Sequence, residues 1–294
     1  MNRNKNLLYL LWSVAIVVCV VLSVFALFFS ACSKQDGGGD KPSGKGGFTV
    51  ESAPPATAAP AQGSEDPTQE TPPAETPPPT EAPAPSVRLA ETPDAGRAYL
   101  DKFVFLGDST TYGIGVYYGY GYTELCPPSQ VWTPSSGTLT LSYYNIATVV
   151  YPETKEEIPI ADAMERGKPE YLLVTLGVNG IAFMDEEWFI RDYTALVKLI
   201  QEASPDTKII LNSIYPVAAS YKYQKDINNE KIRAANGWIE RIAQETGVRF
   251  LNSYEALVGP DGNLPESSQN GDGLHLTGEA FTTVMQYIRT HAYQ

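Results

Sequence analysis

The chain has 294 residues, a formal net charge of −13, 43% hydrophobic residues, three cysteines and only two histidines. This length accommodates one or two domains with a core of ordinary size. The acidic balance argues against a nucleic-acid binder, because nothing would offset phosphate repulsion. Cys19, Cys32 and Cys126 are too scattered for a disulfide framework or zinc knuckle, and His275 and His291 cannot supply a His-rich metal site. Any imidazole chemistry must use one of those two histidines.

The chain opens with Arg3 and Lys5 ahead of an almost unbroken apolar stretch from Leu7 to Ala31, followed by Lys34. A membrane-spanning helix needs roughly 20 such residues. Leading positive charge favours a cytoplasmic N-terminus and an exported remainder. The stretch ends in Phe29-Ser30-Ala31-Cys32, which resembles a bacterial lipobox with Phe29 where that motif usually has Leu. Residues 1–33 therefore read as a signal anchor or a lipoprotein signal, and either one tethers an extracytoplasmic protein to the cell membrane. Residues 34–93 change character. Thirteen of the 23 prolines fall between Pro42 and Pro93, among Thr, Glu, Ala and Gly. Such a segment buries too little apolar surface to offset its ordering entropy and reads as a disordered spacer. The acid excess lies mainly beyond it: residues 1–93 hold 6 basic and 9 acidic side chains, net −3, and residues 94–294 hold 15 and 25, net −10. The predicted domain, 94–294, is itself acidic, which disfavours an anionic polymer as substrate.

Within that domain, Phe103–Leu106 is the first predicted strand, ending at Gly107. A weaker strand is predicted at Tyr143–Ile146, and strong ones at Tyr171–Leu176, Lys208–Leu211 and Val248–Leu251. Short continuous apolar runs of this kind suit parallel strands covered on both faces. Helical spacing links Phe189, Tyr193, Leu196, Val197 and Ile200, and again Ile232, Ala235, Ile239 and Ile242. A last helix begins after Thr277, a candidate N-cap. The alternation predicts a three-layer α/β/α domain with a central parallel sheet and a site beyond the C-terminal ends of its strands.

Three short motifs sit at those ends. Gly107-Asp108-Ser109 follows the first strand, where a tight turn could present the Ser109 hydroxyl; Asp108 or Ser109 acting as a simple helix cap is the plainer alternative. Gly177-Val178-Asn179 follows the Tyr171 strand, where the Asn179 amide could donate to an oxyanion or merely form an Asn-Gly turn. Asp272 stands three residues before His275, a spacing that lets the carboxylate bond Nδ1 and leave Nε2 to take a proton from a hydroxyl. His291 has no carboxylate near it in sequence and reads as tail.

In the order and spacing of Phe105-Leu-Gly-Asp-Ser109, Gly177-Val-Asn179 and Asp272-Gly-Leu-His275, the chain resembles the SGNH (GDSL) hydrolase family over essentially all of residues 97–294. The resemblance implies a flavodoxin-like sheet, Ser109 as nucleophile, His275 as general base and Asp272 as its partner. It also implies Asn179 and the Ser109 backbone amide as oxyanion donors, and hydrolysis of carboxylic esters without a metal or other cofactor. The family usually carries a further glycine donor after the second strand and often an aspartate after the Asn. Here the stretch Asn145–Val150 lacks glycine, which puts Ala147 or a neighbour forward as donor, and Gly180 follows Asn179.

The segment after Ser109 interleaves Tyr112, Tyr117, Tyr118, Tyr120 and Tyr122 with glycines. It reads as an overhanging loop in which Tyr112, Tyr117 and Tyr118 either stack on sugar rings or simply cover the sheet edge. The expected substrate is a small-molecule or glycan ester, with acetyl esters of cell-surface glycans to the fore. A lysophospholipase or thioesterase acting on lipid acyl groups, and a non-catalytic binding module on the same fold, are the alternatives. Cys126 reads as a small buried residue.

Overall fold

The computed structural model describes residues 86–294. The apolar stretch Leu7–Ala31, Cys32 and the spacer up to Pro85 lie outside the described residues. Among those described, no helix is long and apolar enough to cross a membrane.

In chain order the elements are α1 (Arg97–Leu100), β1 (Phe103–Gly107), α2 (Ser109–Gly119), β2 (Val131–Trp132), β3 (Thr148–Val150), β4 (Glu157–Pro159), α3 (Ile160–Gly167) and β5 (Tyr171–Thr175). There follow α4 (Glu186–Ala203), β6 (Lys208–Asn212), α5 (Asn229–Thr246), β7 (Arg249–Leu251), α6 (Ser253–Leu257) and α7 (Gly278–Arg289). Five strands form one parallel sheet in the order β2-β1-β5-β6-β7, while β3 and β4 make a separate antiparallel pair.

The period-2 alternation of the strands divides the core into two layers. Leu106, Leu172, Val174, Ile209, Leu211 and Phe250 face one side, against Met164 of α3, Phe189 and Leu196 of α4 and Ile239 of α5. Phe103, Phe105, Leu173, Ile210 and Leu251 face the other, against Leu100, Ile114, Leu257, Phe281 and Val284 of α1, α2, α6 and α7. Both faces are covered, which is why the strands read as continuous apolar runs in sequence. Side-chain caps fix the helix starts: Asp185 accepts from the Trp188 amide, Asn228 from Glu230 and Lys231, and Thr277 from Ala280.

Three expectations are corrected. Tyr143–Ile146 is not a strand; a 3-10 turn at Leu141–Tyr143 runs into further turns, with Leu141 buried but Tyr143 and Ile146 exposed. The strand beside β1 is instead β2, whose two buried residues are too short a run to register in sequence. The tyrosine-rich segment is not a loop: α2 carries it to Gly119. Its glycines admit close neighbours, since a Cβ at Gly113 would sit 2.8 Å from the Phe281 ring. Finally, the folded unit starts ahead of residue 94. Phe250 donates to the Val87 carbonyl at 3.0 Å and its own carbonyl accepts from Leu89 at 2.8 Å, so 87–89 runs alongside β7 with Leu89 buried.

Phe189 is fully buried between α4 and the sheet. Phe189→Ala should lower unfolding stability by about 3–5 kcal/mol through lost burial and a residual cavity. Urea denaturation would read this, and a loss below about 1 kcal/mol would contradict the two-layer packing.

Candidate active site

β1 and β5 pair in register up to Gly107 opposite Thr175, so the turns that follow them emerge side by side. The approach is tight: a Cβ on Gly107 would overlap the Thr111 hydroxyl and the Thr175 carbonyl. Asp108 then caps α2, its Oδ1 accepting from the Thr110 amide at 3.0 Å and the Thr110 hydroxyl at 2.7 Å. Ser109 is thereby the first residue of α2, where the leading amides have no intrahelical partners. Asp108 is a cap, and Ser109, half-buried, lines a cleft.

His275 reaches that cleft from a loop built by its own backbone. Asp272 Oδ1 accepts from the amides of Leu274 at 2.8 Å and His275 at 2.9 Å. Gln269 Oε1 accepts from Gly271 and Gly273, and Asn270 donates to the His275 carbonyl. Gly273 adopts φ 83° against the Tyr221 backbone, where a Cβ would come within 2.6 Å. Only glycine fits there. Thus held, His275 Nδ1 lies 2.6 Å from Asp272 Oδ2 and Nε2 lies 2.8 Å from Ser109 Oγ. An ionised carboxylate can only accept, so Nδ1 carries the proton and Nε2 accepts from the Ser109 hydroxyl. Partial burial opposes the Asp272 charge, but the His275 ring and the two amides prevail and hold its carboxyl below the usual range.

The family model described as GDSL-like lipase/acylhydrolase matches residues 105–281. The chain belongs to the GDSL-like lipase/acylhydrolase family. It is an ester-hydrolysing enzyme of that family, with the α/β fold its resemblance implies. Among solved structures, a GDSL-like lipase from Bacteroides thetaiotaomicron is 19% identical, covering 65% of this chain and 87% of that one with a TM-score of 0.45. The periplasmic domain of a lipopolysaccharide acetyltransferase from Salmonella Paratyphi A is 18% identical over 64% and 82%, TM-score 0.44. A Geobacillus acetyl-xylooligosaccharide esterase variant is 17% identical over 65% and 94%, TM-score 0.41. No curated protein matches the chain.

Of the remaining residues singled out in this GDSL-like sequence, Asn179 opens a 3-10 turn at Gly180–Ala182 and its side-chain amide donates to the Leu139 carbonyl at 3.2 Å. Gly180 is explained by packing, because a Cβ there would sit 2.8 Å from the Met184 sulfur. Ala147 precedes β3 and packs against the first core layer; because the strand beside β1 is β2, the stretch just after the second strand is the loop containing Gly137, not Asn145–Val150. The Gly137 amide is itself committed to the Pro134 carbonyl at 2.8 Å.

Tyr112 and Tyr117 line the cleft with Ser109, His275 and Phe281, a space of about 400 Å³. Tyr118 does not; it packs on the second core layer. Tyr120, left off the sequence-derived site, does line the cleft and is 76% exposed. A second, mainly apolar groove of about 520 Å³ shares Tyr112, Val116 and Tyr120 with the cleft and continues past Pro128, Val131 and Val150. Gln269 and Phe281 also escaped the sequence reading, since a glutamine in a polar loop and a phenylalanine on a core helix carry no distinguishing signal. His291 stacks on Tyr287, apart from the cleft.

Cys126 is buried with its Sγ 4.0 Å from Met285 Sδ, and burial pushes its thiol up to about 12. In the folded protein at pH 8, peptide mapping after iodoacetamide treatment should find Cys126 unmodified, with alkylation appearing only in denaturant. Rapid native alkylation would contradict its burial.

Proposed function

We propose that the protein is a serine esterase working through an acyl-serine intermediate, with Ser109 as nucleophile, His275 as general base and Asp272 as its orienting partner. The observation that carries this is the unbroken hydrogen-bonded chain from Asp272 through His275 to the Ser109 hydroxyl, 2.6 and 2.8 Å long. As Oγ attacks the ester carbonyl, its proton passes to Nε2, and Asp272 stabilises the imidazolium that forms. The tetrahedral oxyanion is received by the Ser109 amide and the Asn179 side chain. His275 then protonates the leaving alkoxide, and water repeats the sequence to release the acid.

For substrate we propose short acyl, above all acetyl, esters on glycans. The support is the exposed rings of Tyr112 (45%) and Tyr120 (76%) beside Ser109, suited to stacking on a sugar. A lipid acylhydrolase is the second reading, and the apolar groove that leads away from Tyr112 and Tyr120 favours it. Ser109→Ala and His275→Ala should each abolish p-nitrophenyl acetate cleavage and Ser109 labelling by a fluorophosphonate, with circular dichroism unchanged. Asn179→Ala should slow turnover about 100-fold, near 3 kcal/mol of barrier. Retained turnover in the Ser109 and His275 variants would overturn the mechanism. A screen of acetylated glycans against medium-chain esters, with Ser109→Ala as control, decides between the two substrate readings.

We further propose that residues 1–33 tether this enzyme to the outside of the cell membrane, supported by the positive charges ahead of the apolar stretch from Leu7. Cell fractionation should recover it with membranes and accessible to external protease. Recovery in the cytosol would refute the tether.

A further inference from the structure

Asp108 is a costly cap. It is 1% exposed, and while Oδ1 serves Thr110, Oδ2 is buried with no hydrogen-bond partner of ordinary geometry. Serine, threonine or asparagine would cap the same amide without burying a charge. Three groups lie near enough to couple electrostatically to its charge: Tyr193 of α4, Tyr215 just after β6, and the His275 ring. None but His275 can carry a positive charge. The Gly177 amide, at the head of the turn that carries Asn179, also stabilises its ionised form.

We propose that Asp108 is a positioning residue of the active site, its carboxylate holding the Ser109 turn against the Gly177–Asn179 turn and its charge favouring the imidazolium of His275. The inference rests on the proposed Ser109–His275–Asp272 mechanism. Ionised, the carboxylate accepts from Thr110 with Oδ1 and leaves Oδ2 as an open acceptor on the side of the Gly177 turn, which the register of Gly107 opposite Thr175 brings next to it. Protonated, it turns one acceptor into a donor and gives up the charge beside His275. Burial pushes its carboxyl up to about 6 against the pull of Thr110, His275 and Gly177. The switch between the two forms therefore falls within the range where a histidine-dependent enzyme is assayed.

The test is the pH dependence of Ser109 labelling by a fluorophosphonate, and of p-nitrophenyl acetate turnover, in the full chain and in Asp108→Asn. The asparagine keeps the side chain's shape and an acceptor for Thr110. In the parent enzyme the acid limb should steepen beyond a slope of one below about pH 6, because His275 and Asp108 must both lose a proton. In Asp108→Asn the slope should be one at every acidic pH, with kcat lowered at least tenfold and KM unchanged. Thr110→Val, which removes the hydroxyl donated to Oδ1, should keep the steep segment and move it up by about half a pH unit or more. A purely structural cap would lower melting temperature without altering either slope. Labelling of Asp108→Asn at the parent rate, or an unchanged acid limb in both variants, overturns the inference while leaving the nucleophile in place. Failure of the parent enzyme itself to label would instead overturn the proposed mechanism on which it rests.

Discussion

The closeness of β1 and β5 is the constraint on which the rest of this structure depends. Their register brings Gly107 opposite Thr175, and Gly107 has room for no side chain between Thr111 and the β5 carbonyl. Because both strands end at the same level, the chain must turn twice in one place, once into α2 and once into the Asn179 turn. A parallel sheet leaves its C-terminal strand ends as a crevice. Here that crevice holds a helix N-terminus, an aspartate cap and a serine.

The third contribution comes from far along the chain, and it depends on local backbone chemistry more than on packing. The Asp272 side chain uses one oxygen to fold its own loop and the other to hold the imidazole. Gln269 and the left-handed Gly273 fix the same loop from the other side. This economy explains how a half-exposed carboxylate can orient a histidine reliably. Four bonds from backbone amides, two to Asp272 and two to Gln269, hold what a lone surface ion pair, worth at most about 1 kcal/mol, would not.

The surroundings of this centre divide by polarity. On the core side, Asp108, Thr110, Thr175, Asn212, Tyr215 and Ser253 form a buried polar patch beneath the strand ends, linked by hydrogen bonds from Ser253 to Asn212 and from Asn212 to Thr175 and Tyr215. On the solvent side, tyrosines and prolines make an apolar wall along α2. The Thr175, Asn212, Tyr215 and Ser253 groups satisfy one another and so resist rearrangement, while Asp108 Oδ2 is left without a partner above them.

Much of this was legible in the sequence. Continuous apolar runs announced β1, β5, β6 and β7, because strands covered on both faces have no polar side to show. Helical spacing announced α4, α5 and α7, and the interval of three between Asp272 and His275 announced their contact, since so short a span leaves the chain few ways to separate them. The sequence alone therefore determined the α/β class and the pairing of Asp272 with His275. Only the tertiary structure decided which short strand stands beside β1, because two buried residues are no pattern until a neighbour pairs with them. It alone made a helix of the tyrosine-rich segment, in which Gly113 lets the Phe281 ring approach closely. The burial of Asp108 was also decided there, since an aspartate in a Gly-Asp-Ser turn looks the same whether water or a hydrophobic core surrounds it. Local spacing fixes contacts within a few residues; burial and pairing depend on segments distant in the chain, which only the folded molecule brings together.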